Sequence, residues 1–200
     1  SDFNPVWTPD SKKIIFSSDR DSFISRSEIP KDFMIQNHKY NFVDLYMIDV
    51  ETEEIERLTN LPMSDEKYAV VSEDNKEMLF ISDKSGISNI YKKKLTAEPG
   101  KTILDNKEIP ITNSLSEISQ MSLSYNGKKL AFASLYKMGY NIFLLNNPFD
   151  MDLGVDSLKT TDYITSLRNE DDKKGRIFNS ETFANVIKEN TFSQNKIVEA

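Results

Sequence analysis

Cysteine is absent from these 200 residues, and histidine occurs once, at His38. The first absence removes disulfides, thiolate nucleophiles and thiolate metal sites. The second makes any Ser-His-Asp triad or histidine-built metal site depend on one residue, and a lone loop histidine is ordinarily surface. Glycine is scarce, with six residues, and none stands in a G-x-S-x-G elbow, a phosphate-cradling G-x-x-x-x-G-K-[ST] loop or a dinucleotide glycine turn. The zinc motif H-E-x-x-H is missing too. Positive charge is in deficit: 25 Lys and Arg stand against 32 Asp and Glu, a net −7, the wrong sign for a general nucleic-acid surface. No apolar run approaches the roughly 20 residues needed to cross a bilayer. No leader segment is visible, and the start at Ser1 reads as a processed chain or a piece of a longer one. These absences nominate no catalytic residue, no cofactor and no metal site. They also lead us to expect no nucleic-acid partner and no transmembrane segment.

What is present is a repeat. Hydrophobic residues at 38% and aromatics at 10% suffice for a core of one domain or a little more. The organising stretch is Trp7-Thr8-Pro9-Asp10-Ser11-Lys12-Lys13-Ile14-Ile15-Phe16-Ser17-Ser18-Asp19-Arg20-Asp21. Proline presets a turn dihedral, and Asp and Ser bond the local backbone, so residues 8–11 predict a tight turn. Ile14-Ile15-Phe16 predicts a buried strand. The layout returns around Phe80, with Glu73-Asp74-Asn75 at the turn, and around Phe132, with Asn126-Gly127-Lys128 there.

A second landmark follows each Phe: Asp44-Leu45-Tyr46, Asn89-Ile90-Tyr91 and Asn141-Ile142-Phe143. A third, Arg57-Leu58-Thr59, is echoed by Pro110-Ile111-Thr112. The Phe residues stand 64 and 52 apart. With an insertion of about 19 residues removed from the first copy, and about 8 before Thr112 from the second, the period is about 44. That length, with four strand-like runs per unit, suits propeller blades.

The stretch from Trp7 to Asp21 resembles the blade signature of TolB-like propeller repeats, also called PD40 (WD40-like) repeats. In that family a W-S-P-D-G-K turn leads to a buried strand, an S-D-R-D-G loop, a D-I-Y strand and an arginine-leucine-threonine end. Ser11 replaces the turn glycine here, and the second and third copies lack the Pro-Asp pair. The resemblance covers about residues 3–147. It implies an all-β fold of three four-stranded antiparallel blades, at about 1–62, 63–114 and 115–147, within a larger propeller. Residues 148–200 are expected to form a partly helical or irregular tail. Asp156-Ser157 would cap one helix there, and Ser180 a second carrying Phe183, Val186 and Ile187.

The function the resemblance implies is a non-catalytic protein-binding scaffold of the bacterial cell envelope, periplasmic or envelope-associated. It would present loops to a protein partner of an envelope or outer-membrane-associated complex. The alternative is the propeller portion of a larger hydrolase, peptidase or glycosidase, whose catalytic part lies outside these residues. The insertion at 22–42 is the best partner-binding candidate, with Phe23, Ile24, Arg26, Phe33, Met34, Tyr40 and Phe42. Apolar residues in a long loop either fold back on the blade or meet a partner. Asp19, Arg20 and Asp21 join this set. They recur in part as Asp83-Lys84, and the plain reading of both is a solvated loop with local salt bridging.

Overall fold

The computed structural model describes residues 1–21, 23, 24, 34 and 42–174. The chain folds as two compact units, Ser1–Thr161 and Asp162–Ala200.

Among the described residues, eleven strands make three antiparallel sheets in the first unit. The first sheet runs β1 (Asp2–Trp7), β2 (Lys13–Ser18), β3 (Asp44–Asp49) and β4 (Ile55–Arg57), in that order. The second runs β5 (Glu66–Val71), β6 (Glu77–Ser82), β7 (Asn89–Lys94) and β8 (Ile109–Pro110). The third runs β9 (Ile118–Leu123), β10 (Lys129–Tyr136) and β11 (Gly139–Asn146). Each is a meander whose neighbours in sequence are neighbours in the sheet.

The repeat has a common hydrogen-bond basis. Thr8 donates its hydroxyl to Asp10 Oδ1 at 2.6 Å and accepts the Lys13 N–H at 3.0 Å. Ser72 does the same with Asp74 and Glu77, at 2.7 and 3.0 Å. Ser124 does so with Asn126 and Lys129, at 2.8 and 2.9 Å. A hydroxyl two residues before an Asp or Asn therefore builds each turn.

The last turn residue is left-handed in all three copies: Ser11 at φ 58°, Asn75 at 58° and Gly127 at 66°. A Cβ on Gly127 would meet nothing within 4 Å, so glycine there answers conformation and not space. Ser11 bears the cost that Gly127 avoids. Ser11→Gly is expected to stabilise the chain by about 0.5–1 kcal/mol, raising Tm by a few degrees. A lower melting temperature in a thermal scan would refute the equivalence of the turns.

The three aromatic landmarks coincide as well. Phe16 opposes Tyr46, Phe80 opposes Tyr91 and Phe132 opposes Phe143, with ring centroids 6.0, 6.1 and 5.5 Å apart. The Arg-Leu-Thr landmark also acquires a role. Thr59 Oγ1 accepts the Leu45 N–H at 2.8 Å, and Thr112 Oγ1 accepts the Ile90 N–H at 2.9 Å. The preceding Leu58 and Ile111 are fully buried.

Packing runs face to face between successive sheets. Ile15, Leu45, Met47 and Leu58 of the first meet Ala69, Val71, Met78, Phe80 and Tyr91 of the second. Val70, Leu79, Ile81, Ile90 and Ile111 of the second meet Ile118, Leu130 and Phe132 of the third. Leu45 and Met47 thus share one face of β3, with Tyr46 and Ile48 on the other, as the period of two requires.

The third sheet departs from the expected four strands: among the described residues it has three. After β11 the chain turns at Asn147, which is left-handed at φ 47°, and enters a 3-10 turn at Pro148–Asp150. Phe149 and Met151 then pack against the core between the second and third sheets. Lys92 Nζ holds their carbonyls at 2.6 and 3.3 Å. The residues that follow β11 are committed to that contact, so they do not return as an outer strand.

The second unit contains α1 (Asp162–Lys174). The helix starts at Asp162, where an acid in the first turn suits the helix dipole, and not at Asp156-Ser157. Leu158 packs on the core of the first unit, and the Thr161 N–H donates to the Ser85 carbonyl. The expected helix from Ser180 lies outside the described residues, as do His38, Arg26, Phe33 and Tyr40.

Candidate functional site

The three first strands, β1, β5 and β9, line one groove of about 780 Å³. Each strand carries a bulge with one left-handed residue: Asn4 at φ 52°, Tyr68 at 56° and Gln120 at 55°. A bulge twists the strand and re-aims its side chains, and the same bulge in three strands gives the groove a consistent wall. At one end the turns contribute Pro9, Asp10, Glu73, Asn75, Tyr125 and Asn126.

Trp7 is 54% exposed at this end, and Tyr125 is fully exposed. Among the described residues no Lys or Arg lines the groove, whereas Asp10 and Glu73 do. The Thr8 hydroxyl and the Lys12 N–H hold the Asp10 carboxyl below its ordinary value, so it is charged. The groove is therefore an aromatic and amide surface with an acidic rim. It suits an extended segment with apolar or proline side chains and a basic residue.

Sequence reasoning missed this groove, although a signal existed. At the strand end the copies read Trp7, Val71 and Leu123, and in the turn Pro9, Glu73 and Tyr125. In the turn, an aromatic at Tyr125 where the other copies carry Pro9 and Glu73 marks a position that the repeat leaves open.

The opposite end of the sheets carries the base of the insertion and a buried polar cluster. Ser18 and Asp44, which bracket the insertion, pair across β2 and β3. The Val43 N–H donates to Asp65 Oδ1 at 3.1 Å, and the Glu66 N–H donates to the Val43 carbonyl at 2.7 Å. This ties the end of the insertion to the connection between the first two sheets.

Arg57 reaches Asp44 at 2.5 Å and Asp21 at 3.2 Å. Glu66 is fully buried and accepts hydroxyls from Ser64 and Ser82, both at 2.8 Å. Burial, with the nearby Asp44 carboxylate, pushes Glu66 up to about 9. Burial also raises Asp44, but its Arg57 partner opposes the rise. One proton therefore sits on Glu66 at neutral pH, facing an Asp44 carboxylate paired with arginine.

The candidate residues of the sequence fall in this region where they are described. Arg20 forks onto both oxygens of Asp2 at 2.8 Å and lies over the Phe16 ring at 4.8 Å. Asp21 accepts the Tyr46 hydroxyl on its carbonyl at 2.7 Å. Asp19 pairs with the Ser1 amino group. Arg20 and Asp21 thus have partners inside the first sheet. The Phe23 N–H donates to the Arg20 carbonyl at 3.1 Å, while Ile24, Met34 and Phe42 are 36, 51 and 41% exposed. Among the described residues no group of three or more His, Cys, Asp or Glu is placed to hold a metal ion.

No protein-family model matches the chain, and no curated protein matches it. Solved structures do. A protein of Agrobacterium tumefaciens described as TolB is 18% identical, with a TM-score of 0.52, matching 74% of this chain and 46% of its own. TolB of Acinetobacter baumannii is 21% identical, with a TM-score of 0.48, over 72% of this chain and 29% of its own. A structure from work on two prolyl endopeptidases is 16% identical, with a TM-score of 0.45, over 80% of this chain and 21% of its own. The chain spans less than half the length of each. The Agrobacterium likeness establishes the β-propeller fold, so the TolB-like resemblance read from the repeat is borne out at the level of the fold.

Proposed function

We propose that this TolB-like propeller chain is a non-catalytic scaffold that grips an extended segment of a protein partner in the groove of its first strands. The insertion at 22–42 adds contacts from the opposite end. The observation that carries the reading is the exposed pair Trp7 and Tyr125 on a groove with an acidic rim. Tryptophan and tyrosine dominate binding energies at protein interfaces, and here half of Trp7 and all of Tyr125 stand exposed. The placement in the bacterial cell envelope belongs to the same proposal and follows the TolB-like resemblance.

A displayed peptide library panned on the chain tests it. Enriched peptides are expected to be apolar or proline-containing with at least one Lys or Arg. Trp7→Ala and Tyr125→Ala are each expected to weaken them about tenfold or more. Binders indifferent to both substitutions would remove the groove from the account. A deletion of 22–42 measured in parallel, with no change in affinity, would remove the insertion.

A further inference from the structure

The connection between the second and third strands differs from sheet to sheet. In the first it is the insertion. In the third it is a two-residue turn at Lys137 and Met138, closed by the pair Tyr136 and Gly139. The ladder there also runs further than in the other sheets. β2 and β3 pair as far as Ser18 with Asp44, and β6 and β7 as far as Ser82 with Asn89. β10 and β11 pass the equivalent pair, Ser134 with Asn141, by two more pairs, about 7 Å of strand.

This arm is braced from within. Asn141 Nδ2 donates to the Tyr136 and Gly139 carbonyls at 3.0 and 2.9 Å, and Ser116 Oγ donates to the Leu135 carbonyl at 2.8 Å. Its tip is apolar: Tyr136 and Met138 are 53 and 100% exposed. Lys137 Nζ lies 5.2 Å from the Tyr136 ring centroid, and among the described residues no acid pairs with it.

The backbone of the turn is unusual for the residues it carries. Lys137 and Met138 are both left-handed, at φ 48° and 67°. Two-residue hairpin turns of this kind favour Asn-Gly, because those residues take a positive φ at little cost. Strain held at a fully exposed position points to what its side chain touches in a complex. Nor is the exposure that of an unpaired sheet face. A further blade stacked on the third sheet, with strands as long as those of the first two, would cover Ile142 and Leu144 and stop level with Ser134. The turn would stand clear of it.

We propose that this arm is a second protein-docking element, separate from the groove. Its partner offers an apolar hollow for Met138 and Tyr136, with a carboxylate at the rim for Lys137. Methionine and tyrosine are enriched where interfaces are fully buried, and the unbranched thioether adapts to an irregular hollow. An arm braced by its own hydrogen bonds loses little freedom on docking. The unpaired ammonium sets the sign of the partner's charge.

Panning a displayed peptide library on the chain carrying Trp7→Ala and Tyr125→Ala tests the proposal, since the groove is then removed from the selection. Enriched peptides are expected to be apolar with at least one Asp or Glu. Met138→Ser should weaken them about tenfold or more with unchanged circular dichroism. Lys137→Asn combined with Met138→Gly restores the favoured turn, so it should raise Tm while removing the same binding. Lys137→Glu should weaken the peptides, and exchanging their acid for lysine should recover the affinity. No enriched peptide, or peptides indifferent to these substitutions, overturns the proposal. Binding to phosphatidylglycerol vesicles without any peptide binder overturns it in favour of a membrane. Self-association in sedimentation that the Asn-Gly variant abolishes overturns it in favour of a second copy.

Discussion

Phe80→Ala is expected to cost about 3–5 kcal/mol of folding stability, read as a lower urea midpoint. Phe80 is fully buried at the centre of β6. Its ring lies tilted beside that of Tyr91 on its own sheet and faces Ile15 and Met47 of the preceding one. Removing the ring takes away apolar contact on both sides and leaves a cavity that two sheets cannot collapse to fill. Phe16→Ala is the control. Phe16 holds the same place in the repeat, but its sheet has no preceding sheet over that face among the described residues, and the face opens the cavity beside Ile14 and Ile48. Its loss should be smaller, about 1–3 kcal/mol. Equal losses at the two positions would contradict the assignment of the faces.

The second large effect is on pH. The folded chain holds a proton on Glu66 up to about 9, whereas the ordinary value is 4.5. Below 4.5 both folded and unfolded chains carry that proton, and its contribution to stability is fully present. Between the two values the unfolded chain releases the proton and the folded chain keeps it, so stability falls as pH rises, by at most about 1.4 kcal/mol per pH unit. Above 9 the contribution is gone and the buried carboxylate opposes folding.

Glu66→Gln is expected to remove this slope. Its carbonyl keeps the Ser64 and Ser82 hydroxyls, and its amide N–H faces Asp44 in place of the acid proton. Urea midpoints measured across pH 5–9 should therefore converge for the two proteins at the acid end and separate toward the alkaline end. Parallel curves would mean that Glu66 ionises in the folded chain near its ordinary value. The Ser1 and Asp19 charges and the exposed carboxylates are shared by both proteins, so the comparison isolates the one group.

The contrast between these residues shows how far the sequence reaches. The equivalence of Phe16, Phe80 and Phe132 was legible because strand, turn and strand are written in adjacent residues. The turn at 8–11 is specified by its own residues, Thr8 and Asp10 above all, and the Leu45-Met47 face by period-two alternation. The insertion was legible as an interruption of that period. In the last sheet no fourth strand was evident in the sequence, and what replaces it was not legible there, because Lys92 captures the chain at Phe149 from 57 residues away.

The amino-acid sequence by itself therefore determined the blades: their turns, their aromatic pairs and their order, all from interactions a few residues long. Tertiary structure alone decided the groove of the first strands and the burial of Glu66 beside Asp44. Each of these arises from residues of different blades, brought together by the stacking of apolar sheet faces. That attraction has no direction, so a linear pattern can call for burial without naming the neighbour that supplies it.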